Sequence, residues 1–262
     1  MLKRLSYLLL LLFLAILAVP LRASPAIGAV VQTWNYDPVA NIVTLKILNT
    51  SHKDITAFNI AIKETYANGR VEQHEVLEDL IGKILRAKEI QGDHSRGAET
   101  FRKMYGDGGF HPGELLDEKL PVQPGLTNYQ AVIDVVTYID STAEATNNDA
   151  LGRIVDERQA TVASQKIITE IIQTALADPN DTDPSATAAK RIRDRATTWK
   201  VQQHTKLDLD PVRLESIADE LKAVSSRNVN KRDALKEIVK TEEDRLSALS
   251  VHAAPVKTGS QP

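Results

Sequence analysis

The chain has 262 residues, a net charge of −3 and no cysteine. The balanced charge excludes the basic footprint of a nucleic-acid binder, and the lack of thiols excludes disulfides, thiolate nucleophiles, cysteine-ligated zinc and a lipidated-cysteine anchor. The length allows one large domain or two ordinary ones, and 42% hydrophobic residues suffice for a core that stands without staples.

Lys3 and Arg4 precede an apolar run from Tyr7 to Val19, which Pro20 ends ahead of Ala23 and Ser24. That is the charge, apolar core and break of a secretory leader, and the run is shorter than the roughly 20 residues of a spanning helix. Residues 1–23 are therefore expected to be a signal peptide. A retained N-terminal anchor is the alternative, because Leu21 is a poor fit to the small-residue rule for cleavage after Ala23. Either way the remainder is expected to be periplasmic or secreted.

Ile27 to Tyr36 reads as a first strand, with Val30, Gln32 and Trp34 on one face, and Asp37-Pro38 turns the chain. From Ile42 to Gly69 the pattern is that of a β-hairpin. Val43, Leu45 and Ile47 alternate with polar residues, as do Phe58, Ile60 and Ile62, and Asn49 to Asp54 supply the turn between them. Asn68-Gly69 closes the second strand. Val76 to Ile90 reads as a weak amphipathic helix interrupted by Gly82, and Gln91 to Gly113 as a long irregular excursion rich in glycine and charge. Glu114 to Val122 is a strand. Asn128 to Asp140, apolar on both faces, reads as a central strand covered on both sides.

From Ala143 the period changes from two to 3.6, and no further strand is predicted. Asn148 or Asp149 caps a helix to about Ala177. Asp183-Pro184 and Asp210-Pro211 each place a cap before a proline at the first helical position, and Asn230 opens the last helix. The fold class is thus α+β: an antiparallel β-sandwich over residues 24–145, an α-helical segment of about four helices over 146–252, and a disordered polar tail over 253–262. The apolar stripes of these helices are expected to pack within the chain, with helix-mediated self-assembly the alternative.

Chemistry-bearing residues are sparse. Asp93-His94-Ser95 is the one place where the residue types of a hydrolytic triad meet, but neighbours in sequence do not have the geometry of nucleophile, base and orienting acid. The six histidines lack helical metal-ligand spacing, although His74, His94 and His111 can converge if the excursion folds back. Asp178 to Asp183 is acidic but departs from an EF-hand loop at Asp183 and Ala189. Gly106 to Gly109 lacks the strand-to-helix context of a phosphate cradle and is expected to be a flexible tip. Asp134, Asp140 and Glu144 leave a glycosidase pair open. Asn49-Thr50-Ser51 and Asn180-Asp181-Thr182 match a glycosylation acceptor, yet turn formation accounts for both. No catalytic, metal or cofactor-binding residue is assigned, and no cofactor is expected.

The run Val43 to Ile47 into Asn49-Thr50-Ser51, then Ile55 to Phe58 and Tyr66 before Asn68-Gly69, resembles exported bacterial β-sandwich modules of the FxLYD and immunoglobulin-like kind. Phe110-His111-Pro112-Gly113-Glu114 is similar to their Pro-Gly-Glu turn before a strand. The resemblance covers about residues 27–140 and departs at Ala67, where an acidic residue is usual, and in the long excursion. It implies an immunoglobulin-like topology and an adhesion or scaffold role, and carries no catalytic residue. The expected function is non-catalytic binding or structural support in the cell envelope, with a protein partner. The first places to look are the strand Glu114 to Val122 and the excursion Gln91 to Gly113. The competing class is an exported hydrolase using polar residues of that excursion.

Overall fold

The computed structural model describes residues 27–201, 209–253 and 257–258. The leader 1–23 and most of the tail lie outside the described residues. The protein is α+β, with two sheets that are antiparallel apart from one two-residue pairing, and six helices among the described residues. Strands β1 (Ala29–Asp37), β2 (Ile42–Asn49) and β5 (Leu115–Pro121) form the smaller sheet in the order β1-β2-β5. The larger has the order β4-β3-β6-β7-β8, built from β3 (Ile55–Tyr66), β4 (Val71–Asp79), β6 (Leu126–Tyr138), β7 (Thr142–Ala145) and β8 (Lys257–Thr258).

The expected hairpin is corrected here. β2 pairs with β1 and β5, whereas β3 pairs with β4 and β6, so the two strands belong to different sheets. The intervening turn is an arch between sheets, and Asn49 is its buried pivot. The Asn49 side-chain amide donates to the carbonyls of Lys53 and Phe110, its Oδ1 accepts from Ser51, and the Gly28 carbonyl accepts the N–H groups of Thr50 and Ser51. Those contacts satisfy the turn's polar groups without a ladder between β2 and β3. The hairpin closed by Asn68-Gly69 is β3–β4, with Gly69 at φ +81°.

The alternation within each strand nevertheless faces one core. Val43, Leu45 and Ile47 of β2 pack against Phe58, Ile60 and Ile62 of β3, with Ile133, Val136 and Tyr138 of β6. β-bulges reset the phase of three strands. In β1 the register skips Gln32, so Val31 and Trp34 both pair with inward-facing residues of β2, and the expected face of Val30, Gln32 and Trp34 is corrected. In β3 it skips Thr56, and in β6 it skips Asp134, which sends Val135 to the opposite side from Ile133. Gly28 at the start of β1 lies so close to Tyr138 that a Cβ would fall 1.9 Å from its hydroxyl oxygen, so only glycine fits.

Six helices are present among the described residues where about four are expected. The region read as a weak helix splits into the end of β4, held by its ladder to β3, and helix α1 (Ile81–Glu89). The excursion read as irregular contains α2 (Arg96–Tyr105). After residue 145 come α3 (Asn148–Ala177), α4 (Pro184–Val201), α5 (Pro211–Ser225) and α6 (Lys231–His252). The predicted caps Asp183, Asp210 and Asn230 accept from the first-turn N–H groups of α4, α5 and α6. For α3 the cap is Asn147, not Asn148 or Asp149. The four helices share a second core, in which Ile168 and Ile172 of α3 meet Ile192 of α4, Leu214 and Ile217 of α5 and Leu235 of α6. The expectation of no strand after Ala143 is corrected by β7 and by β8, whose two residues pair in parallel with Thr142 and Ala143. Short runs of this kind carry too little pattern to read. Among the described residues no helix is long and apolar enough to cross a membrane.

Candidate functional site

A cleft of about 840 Å³ opens where the inter-sheet arch meets the excursion. Asp54 from the arch, Ile139 just past β6, Ile84, Ala87 and Lys88 from α1, and residues from Gln91 to His111 line it. The volume lies within the roughly 300–1,000 Å³ typical of ligand sites. Local sequence explains how its walls are placed. Asp79 Oδ1 accepts the Ile81 N–H and starts α1, and Ser95, itself held by the Asp93 carboxylate, accepts from Ala98 N–H and starts α2. Arg102 of α2 reaches back, donating to the carbonyls of Ile90 at 2.9 Å and Asp93 at 2.6 Å, and so ties the two helices across the cleft. Gly108, at φ +80°, is pressed against the backbone of Lys83 and Ile84, where a Cβ would lie 2.4 Å from a carbonyl carbon. Within the stretch read as a flexible tip, Gly108 is thus a packing contact that anchors the excursion to α1.

The far wall is an imidazole between two carboxylates. His111 Nδ1 lies 2.9 Å from Asp54 Oδ1, and Nε2 lies 2.9 Å from both oxygens of Asp107. Hydrogen bonds to Asp54 and then Asp107 raise the His111 pKa above the ordinary histidine value and outweigh the opposing effect of burial. Burial pushes the Asp107 carboxyl up, but the Gly109 N–H and the His111 imidazole outweigh it and hold that group low.

The remaining sequence candidates disperse. His94 lines the cleft, but Asp93 and Ser95 form the cap of α2, and His74 is on β4, 3.8 Å from Glu64 and away from the cleft lining. Asp134 is buried between Asn59 and Asn147. Burial pushes Asp140 up, yet the Lys53 ammonium and the Thr142 hydroxyl and N–H bring its carboxyl down to about 2. Glu144 accepts from the Gly28 N–H. In the acidic loop the carboxylates of Asp178, Asp181 and Asp183 each accept a nearby backbone N–H, and the Arg232 guanidinium occupies the carbonyls of Leu176, Asp178 and Asp181. The positive charge that a calcium ion would bring to this loop is therefore supplied by an arginine of the chain itself. Among the described residues no cluster of three or more histidine, aspartate or glutamate side chains could hold a metal ion. The Asn49 amide is buried and fully engaged, which removes it as a glycosylation acceptor.

No protein-family model matches the chain, and no curated protein matches it. Similarity is found to a crystal structure of a hypothetical protein from Peptoclostridium difficile 630. It is 10% identical and covers 48% of this chain and 90% of that one, with a TM-score of 0.29. A resemblance at that level carries no argument about fold or role.

Two parts of the cleft were not legible from sequence. Asp54 reads as a turn residue and Asp107 as part of a glycine tip, and the 57 and four residues separating them from His111 give no motif. The signal available was indirect: a histidine next to Pro112-Gly113, in a segment too polar to be core and too long to be a simple connection.

Proposed function

We propose that the chain is an exported, non-catalytic binding protein of the cell envelope, its two sheets forming an immunoglobulin-like sandwich and the cleft between arch, α1 and α2 forming its working surface. The observation that carries this reading is the composition of the cleft. Its floor is apolar, from Ile84, Ala87 and Ile139, and around it His111, Asp54, Asp107 and Arg102 are engaged in structural contacts. A hydrolase reading needs His74, His94, His111 and Asp93 gathered within hydrogen-bond reach, whereas His74 sits on β4 beside Glu64, Asp93 is taken up by Ser95 at the start of α2, and His111 lies between Asp54 and Asp107. The sharing of one core by both sheets, joined through an arch, supports the sandwich topology. The charge pattern of the leader supports export.

The test uses the mature chain as bait in a native envelope extract beside an Ala87→Trp variant that fills the cleft. A partner retained by the native chain and lost from the variant is the expected result. Equal capture by both would put the working surface elsewhere. Turnover by the purified mature chain in a hydrolase screen, abolished by His111→Gln, would overturn the non-catalytic reading.

A further inference from the structure

The two walls of the cleft differ in charge balance. On one wall the single His111 imidazole lies between Asp54 and Asp107 and can offset only one of their two negative charges, so that wall is net negative. On the other, Lys88 is exposed in the last turn of α1, and its side chain makes no hydrogen bond or ion pair among the described residues. Arg102, which also lines the cleft, donates to two neutral carbonyls and makes no ion pair among the described residues, its charge being partly offset by the nearby Asp93 carboxylate. Between the walls lies the apolar floor of Ile84, Ala87 and Ile139. An apolar floor with two cations at one side and net negative charge at the other complements an anion attached to an aliphatic body, with its head turned to the cationic side.

We propose that the cleft takes an organic monoanion with an aliphatic body, the size of a medium-chain carboxylate, with its anionic head on Lys88 and Arg102 and its chain on Ile84, Ala87 and Ile139. This rests on the cleft being the binding surface, and the experiment separates the two claims. The mature chain is loaded with Nile red, an uncharged apolar dye, and the dye is displaced by decanoate or by decyltrimethylammonium, both kept below their micelle concentrations. The two competitors share a chain length and differ in head-group charge.

Ala87→Trp is expected to abolish dye binding while leaving the far-ultraviolet spectrum unchanged. Decanoate is expected to displace the dye at about tenfold lower concentration than the ammonium, the difference a charge-assisted contact supplies. Lys88→Glu is expected to remove or invert that preference. Lys88→Gln, which avoids reversing the charge at the C-terminus of α1, reduces it if the first variant misfolds. Failure of the native chain to bind the dye, or binding indifferent to Ala87→Trp, overturns the cleft as binding surface. Dye binding that depends on Ala87 but is displaced equally well by both competitors, or better by the ammonium, overturns the anion assignment alone. A preference for decanoate that survives both Lys88 variants also overturns it.

Discussion

The larger sheet has two faces built on different physics. Its inner face presents Phe58, Ile60, Ile62, Ile133 and Val136 to the apolar side of β2. Its outer face presents Thr56, Asn59, Asp134 and Thr137, all buried, to the first turns of α3. There Asn59 donates to Asp134 at 2.8 Å, Asn147 donates to the other oxygen of Asp134, and Arg158 spans Asp79, Thr56 and Thr137. Only a small apolar cluster of Ala57, Val135, Ala150 and Ile154 accompanies them. Apolar burial is non-directional and supplies most of the cohesion, whereas the hydrogen-bonded face fixes where along the sheet the helix can sit. The core between the two sheets therefore accounts for stability, and the polar face accounts for the placement of the helical layer.

Breaking the inner face should have the largest effect. Phe58 is fully buried and meets Phe110 edge-on, with ring centroids 6.2 Å apart. Phe58→Ala is expected to cost about 4 kcal/mol in urea unfolding, a large share of the roughly 5–15 kcal/mol that holds an ordinary domain together. A loss below about 1 kcal/mol would mean that the two sheets are not closed over this residue.

The outer face is tested by Arg158→Met, which keeps most of the side-chain volume and removes the charge. Arg158 is only 3% exposed, and its Nε lies 2.8 Å from Asp79. Removing one member of a buried pair is expected to cost about 3 kcal/mol, because Asp79 is left partly buried without its counter-charge. A double-mutant cycle with Asp79→Asn should return a coupling of about 1 kcal/mol or more. If Arg158→Met costs less than about 0.5 kcal/mol, the helical layer is held by its apolar contacts and the division between the faces fails.

The same contrast explains what could be read from the sequence. Period-two alternation located β2, β3 and β6, and Asp-Pro or Asn caps located α4, α5 and α6, because each signal is local and repeated. Which strands pair was not local. Asn49 to Asp54 spells a turn, and whether that turn joins neighbours in one sheet or crosses to another depends on Phe110, whose carbonyl takes the Asn49 amide from 61 residues away. The bulges at Gln32, Thr56 and Asp134 are equally silent, although Asp134 stands out afterwards as the one charged residue inside the apolar stretch Ala131 to Val136. Glu242 is spaced along α6 with Leu235, Val239 and Leu249 and is buried with them, against Gln165 and Arg213. The cleft was legible only as a region, because its His111 partners come from an arch and a tip that are distant or unpatterned in the sequence.

The smallest effect is expected where polar contacts stay in solvent. Asp54, His111 and Asp107 repeat the acid–base pairing of Arg158 and Asp79, but their side chains are 41%, 45% and 67% exposed. Water and salt screen such a clip, so it is expected to contribute only about 0.5 kcal/mol. Its pH dependence has a definite sign. The His111 pKa is raised in the folded protein, so its share is complete below the ordinary histidine value of 6.5 and is lost as pH rises through the higher folded value. The Asp107 carboxyl is held low, so its share is present above 3.8 and is lost as pH falls through the lower folded value. The clip is therefore strongest between those limits and loosens above pH 6.5. Titration of the His111 imidazole by NMR should give a midpoint above 6.5, and amide exchange in α2, corrected for intrinsic rates, should quicken through the same window. His111→Gln should flatten that dependence while moving the unfolding free energy by no more than about 0.5 kcal/mol. A His111 midpoint at or below 6.5 would mean that the two carboxylates do not hold the imidazole in solution, and would leave Arg102 and Gly108 as the contacts that keep the cleft in shape.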